Sequence, residues 1–90
     1  MEFEWDIVNA ATNLAKHGIS FELAQTVFQD HFAVERQDVD PVSGEVRWNL
    51  IGLAFGRELF VTYTVRNGKI RLMSARKAQR DEREQYWTNR

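Results

Sequence analysis

Two short runs carry the side chains of this chain best suited to chemistry: Lys16-His17-Gly18 and Ser74-Ala75-Arg76-Lys77-Ala78. An imidazole titrates near neutrality, so His17 can give or take a proton in general acid–base catalysis. Lys16 beside it can hold a phosphate. A guanidinium such as Arg76 grips phosphate oxygens bidentately and offsets the added charge of a pentacoordinate phosphorane. Arg47, Arg66 and Arg71 offer the same chemistry. Each group also has a plain structural account. His17 is a charge favoured at a helix C-terminus, and Lys16 a solvated helix end. The arginines are ion-pair partners for acids, Arg57 and Arg90 most of all. His31, after Asp30, reads as a surface or capping residue. Two histidines and no cysteine give no metal-ligand spacing, so no metal or cofactor is expected.

The elements that must position these groups follow from periodicity. Phe3-Glu4-Trp5 alternates and suits a short edge strand. Asp6 can cap a helix over 7–17, with Ile7, Ala10, Ala11 and Leu14 as its apolar face and Gly18 as its stop. Ser20 can cap a second helix over 21–29, with Phe21, Ala24, Val27 and Phe28 inward. From His31 the period changes to two. Strands are expected from there through Arg36, then at 46–55, 58–66 and 69–75. Asp40-Pro41-Val42-Ser43-Gly44 is turn chemistry, Asn67-Gly68 a hairpin turn, and Gly56-Arg57 suits a type II′ turn. From Arg76 the tail reads as a helix, on which Lys77, Arg80 and Arg83 form a solvated face. The fold class is α+β: two N-terminal helices, an antiparallel four-stranded meander sheet and a C-terminal helix in one domain, 1–90.

Hairpin register then sorts the side chains. Asn67-Gly68 pairs Tyr63 with Leu72 and Arg66 with Lys69; Gly56-Arg57 pairs Ile51 with Thr62 and Trp48 with Val65. One face carries Trp48, Leu50, Leu59, Val61, Tyr63 and Leu72 and should meet the helices. The other carries Arg47, Arg66, Lys69 and Arg71 at one end and Ile51, Leu53, Phe55, Phe60 and Met73 at the other. Four adjacent cations repel unless a polyanion or acids lie among them. The apolar end needs the third helix or a partner.

Charge is split along the chain. Residues 1–45 hold nine acids and two bases, giving −7; residues 46–90 hold ten bases and four acids, giving +6. Such asymmetry indicates a nucleic-acid face or an acidic partner, unless the halves neutralise each other in the fold. Without cysteine, disulfides, thiolate zinc sites and a cysteine nucleophile are excluded. No run reaches the roughly 20 apolar residues of a membrane span. The acidic start is unlike a signal peptide, so a cytoplasmic protein is expected.

The motifs Phe3-Glu4-Trp5-Asp6, Lys16-His17-Gly18-Ile19-Ser20-Phe21-Glu22, Ile51-Gly52 and Arg71-Leu72-Met73-Ser74-Ala75-Arg76, with Glu82-Arg83 and Tyr86, resemble the BrnT family of bacterial toxins. His31 in place of proline and Met73 in place of isoleucine depart from that pattern. The resemblance implies a RelE-like fold and a type II toxin that cleaves RNA. It implies a small BrnA-like antitoxin, contact with DNA only through the antitoxin complex, and a homodimer or toxin–antitoxin hetero-oligomer. By it the catalytic residues are Lys16, His17, Arg66 and Arg76, with Arg47 and Arg71 in support; Lys69 is added as a substrate-binding residue from its place on the basic face.

The expected reaction is metal-independent cleavage by the substrate 2′-hydroxyl, leaving a 2′,3′-cyclic phosphate. Two other classes fit the same residues. A non-catalytic module could use the basic face to bind nucleic acid or an acidic segment. An assembly partner could use the patch of Ile51, Leu53, Phe55 and Phe60.

Overall fold

The computed structural model describes residues 1–88; Arg90 lies outside the described residues. The chain runs β1 (Phe3–Glu4), α1 (Ile7–His17), α2 (Phe21–Ala24), a 3₁₀ turn (Gln25–Gln29), β2 (Val34–Val39), β3 (Val46–Ala54), β4 (Arg57–Arg66), β5 (Lys69–Lys77) and α3 (Arg80–Thr88). The five strands form one sheet in the order β1-β5-β4-β3-β2. β1 lies parallel to β5, while the other pairs are antiparallel. The sheet is therefore mixed and five-stranded rather than a four-stranded meander.

The caps sit where the sequence put them. Asp6 accepts from the Asn9 N–H and Ser20 from the Leu23 N–H, and Gly18 ends α1 at φ 71° with its N–H on the Leu14 carbonyl. The second helix tightens to 3₁₀ after Ala24. α1 corrects its expected face. Ile7 and Leu14 are exposed, and buried Asn13 points inward in their place.

The Asn67-Gly68 hairpin has the expected register, including Tyr63↔Leu72 and Arg66↔Lys69. The other hairpin turns one residue earlier, at Phe55-Gly56, with both residues at positive φ. That is a type I′ requirement rather than type II′. It slides β4 by two residues, giving Ile51↔Phe60 and Trp48↔Tyr63. A slide of two keeps every side chain on its face.

α1, α2 and the 3₁₀ turn cover one face of the sheet. There Ile19, Phe21, Ala24 and Val27 pack on Leu50, Leu59, Val61 and Leu72. α3 covers the apolar end of the other face, where Tyr86 and Ala78 meet Ile51 with Leu53 and Phe60 alongside. The patch that the sequence left open for an assembly partner is thus largely internal; of its members Phe55 stands out in solvent.

A bulge in β5 decides where Arg76 points. Tyr63 pairs with Leu72 but Thr62 pairs with Ser74, so Met73 is an extra residue. Leu72 faces the core, and strict alternation would send Ser74 and Arg76 there too. The extra residue turns buried Ala75 inward and Arg76 outward, opposite Phe60. β5 also runs on to Lys77, so Arg76 and Lys77 belong to a strand and not to the last helix.

Candidate functional site

α1 is held to the sheet by asparagines. β1 pairs with β5 only at Ile70 and Arg71. Beyond it, α1 takes over the same strand edge. The Asn9 side chain donates to the Met73 carbonyl at 2.9 Å. The Asn13 amide donates to the Ala75 carbonyl at 2.9 Å and accepts from the Ala75 N–H at 3.0 Å. It also donates to the Ile19 carbonyl at 2.9 Å, fixing the corner after the helix. Four helical residues and two strand residues both advance about 6 Å, so α1 and β5 run side by side in one direction. Residues four apart share a helix face. His17 therefore continues the stripe of Asn9 and Asn13, toward the end of β5 that holds Arg76 and Lys77. Lys16 and His17 are exposed, and neither has a hydrogen bond or ion pair among the described residues.

Arg76 is locked. Its Nη1 and Nη2 meet the two Glu82 carboxylate oxygens at 2.9 and 2.8 Å, and Nη1 also donates to the Lys77 carbonyl. Its guanidinium carbon lies 4.2 Å from the centre of the Phe60 ring, a cation–π contact. Three of the five guanidinium N–H groups are engaged, which leaves two for a ligand. Glu82 is buried, and Arg36 approaches it from β2 at 3.7 Å. Burial alone would raise the Glu82 carboxyl. The bonds from Arg76 and the Gln79 N–H, with the charges of Arg76 and Arg36, outweigh burial and hold it below the ordinary value of 4.5.

The remaining predicted cations lie elsewhere. Arg66 is six residues along β4 from Phe60, the partner of Arg76. At a strand rise of about 3.3 Å per residue that is roughly 20 Å. One phosphorane cannot touch both guanidiniums. Arg66 bonds Glu45 through Nε and Nη2 at 3.1 and 2.9 Å. Arg47 meets Asp40 at 2.8 Å, Arg71 meets Glu4 at 3.1 Å and Lys69 approaches Glu2 at 3.9 Å. The acids of the first half thus neutralise this end of the face, as the plain account of the charge split expects. Beside it, a cleft of about 510 Å³ opens between α1 and the sheet, with Arg66, Arg71, Val8 and Thr12 in its wall.

His31 lies at the turn between the 3₁₀ segment and β2. Among the described residues no group of three or more His, Cys, Asp or Glu is placed to hold a metal ion. No described helix is long and apolar enough to cross a membrane.

The sequence missed Asn13 as a positioning residue. Its signal was the pair Asn9 and Asn13, poor helix formers four apart inside a helix, which makes sense only if their amides bond something. It also missed Arg57 and Lys77. Read as an ion-pair partner and a helix-surface residue, both stand exposed at strand ends with no ion pair among the described residues.

A family model described as ribonuclease toxin, BrnT, of type II toxin-antitoxin system matches residues 5–82, which include the Lys16-His17 corner, Arg76 and Glu82. A search of curated proteins finds no match.

Proposed function

The chain belongs to the BrnT family of type II toxin–antitoxin ribonuclease toxins, and from that premise we propose that it cleaves RNA without metal at the corner where α1 meets the end of β5. Residues 1–90 then form one RelE-like toxin domain acting in the cytoplasm. The observation that supports this assignment is the double bond of Asn13, four residues before His17 in α1, to Ala75, the residue before Arg76 in β5.

His17 takes the proton of the substrate 2′-hydroxyl. The freed oxygen attacks the adjacent phosphorus, and the bond to the 5′-oxygen breaks as that oxygen gains a proton from solvent or from the imidazolium. The products are a 2′,3′-cyclic phosphate and a 5′-hydroxyl. The two open N–H groups of Arg76 and the Lys16 ammonium offset the phosphorane charge. Glu82 keeps the guanidinium fixed, so no reorganisation is needed when the charge develops. Arg66, Arg71, Arg47 and Lys69 are too far away to share this step. They contact flanking nucleotides, exchanging their carboxylate partners for phosphate.

The antitoxin, a small BrnA-like protein, covers the outer face of α1. Ile7, Val8 and Leu14 are 82, 74 and 50% exposed there, an apolar stripe beside the arginine-lined cleft. That border suits an amphipathic segment with an acidic edge. End-group analysis of RNA incubated with purified protein in EDTA tests the reaction. Cyclic phosphate ends are expected; 3′-hydroxyl ends or a metal requirement would refute it.

A further inference from the structure

Ion pairing leaves one end of the molecule unneutralised. Arg36, Arg47, Arg66, Arg71, Arg76, Arg80, Arg83 and Lys69 all have acidic partners. Among the described residues, the side-chain cations without one are Lys16, Arg57 and Lys77, and all three gather at the same end. Lys77 closes β5 opposite Leu59, and Arg57 opens β4 two residues before Leu59. They are diagonal neighbours on the helix-covered face, roughly 7–8 Å apart at the backbone. Lys16 ends the helix whose Asn13 bonds Ala75, two residues before Lys77. Of the acids near this corner in sequence, Glu58 adjoins Arg57 but alternates to the other face of the sheet and approaches Arg83, and Glu22 sits in the first turn of α2.

The turn beside Arg57 adds a second observation. Phe55 stands at φ 51° and is 85% exposed. The other hairpin has the same two-residue turn, with Asn67 at φ 53°. Asparagine tolerates left-handed backbone; a bulky aromatic there is strained. Phe55 covers no core in exchange for that strain. Strained backbone positions cluster at functional sites, where the surroundings or a ligand hold them.

We infer that Arg57, Lys77 and Phe55 form an RNA-positioning subsite for the His17–Arg76 corner, with the cations on phosphates and the Phe55 ring stacked on a base of a single strand. The inference rests on the assignment of RNA as substrate. Ring stacking between bases and phosphate neutralisation by neighbouring cations are the two general devices of single-strand binding. An aromatic hairpin tip next to unpaired cations, at the end of the sheet toward which α1 runs, supplies both.

The test is binding of a fluorescent, 2′-O-methylated single strand, which cannot be cleaved through its 2′-oxygen, across a salt series. R57Q/K77Q should flatten the slope of log affinity against log salt by about 1.4, at about 0.7 for each phosphate no longer neutralised. F55N should melt no lower than the unmodified protein, because asparagine suits the turn, yet bind about tenfold more weakly. An unchanged slope in R57Q/K77Q, or unchanged affinity in F55N, would overturn the inference; in the second case the tip serves a protein contact instead. Cleavage of unmethylated RNA is scored in parallel. The expected binding changes together with no cleavage by the unmodified protein would sink the catalytic assignment alone, and intact cleavage by the unmodified protein with unaltered binding in both variants would sink this subsite alone.

Discussion

Asn13 and Ala75 are bonded to each other twice, the Asn13 amide donating to the Ala75 carbonyl at 2.9 Å and accepting from its N–H at 3.0 Å. A helix side chain thus imitates the peptide of a missing neighbouring strand. The exchange closes an otherwise open sheet edge and fixes how far along β5 the end of α1 reaches. Replacing Asn13 by Ala removes these bonds and the one to Ile19, leaving buried backbone groups unpaired. A loss of about 3 kcal/mol in urea unfolding is expected, with a fall in RNA cleavage at temperatures where the variant is folded. A loss below about 0.5 kcal/mol, less than one ordinary hydrogen bond, would show that the pairing is incidental.

Gly52 shows how closely the 3₁₀ turn approaches β3. A Cβ there would lie 2.8 Å from Val27 Cγ1, 3.1 Å from the Ala33 Cβ and 3.2 Å from Asp30 Oδ2. That Asp30 oxygen accepts from both the Leu53 N–H and the Tyr86 hydroxyl, joining the turn, β3 and α3. Gly52→Ala must push all of this apart. A cost of about 1–3 kcal/mol is expected by thermal unfolding, and a neutral result would mean the turn yields freely.

Glu82 should make stability pH-dependent. Its carboxyl is depressed in the folded protein, so its contribution is fully present above the unfolded value near 4.5 and is lost as pH falls through the lower folded value. Glu82→Gln is expected to lower the urea midpoint at pH 7 while flattening the loss of stability as pH falls below the unfolded value near 4.5. An acid slope identical to that of the unmodified protein would assign the dependence to other carboxylates.

The exposed stripe of α1 predicts a separation of functions. Ile7→Glu with Leu14→Glu should abolish co-purification with the antitoxin and leave RNA cleavage within about twofold, since neither residue touches the core or the proposed site. Retained complex formation would move the antitoxin interface elsewhere.

Much of this arrangement was legible in the residues. Asp6, Gly18 and Ser20 act locally, and Asn67-Gly68 alone determines its own register. Arg76 was harder. Its direction depends on one extra residue, Met73, and bulges are set by how two strands fit rather than by either strand. The Phe55-Gly56 turn was missed because a positive φ at Phe55 runs against its preference. The apolar residues of α1 fit a buried helix by spacing, yet the sheet edge offered hydrogen-bonding groups, and the asparagines took the inward side. The charge halves neutralise where strands bring them together, at Arg47, Arg66 and Arg71, and fail to do so at the chain's hairpin end. That contrast emerges only from the register.

The central claim is that the chemistry sits at the His17–Arg76 corner and not at the arginines of the opposite end. Single-turnover cleavage of RNA in EDTA by His17→Ala, Arg76→Lys and Arg66→Ala tests it most directly, each protein first shown to be folded. Loss of the maximal rate by about 100-fold or more in the first, a clear fall in the second, and weaker binding with a nearly unchanged maximal rate in the third are expected. A His17→Ala protein that cleaves at the unmodified rate, or an Arg66→Ala protein whose maximal rate collapses, would contradict it.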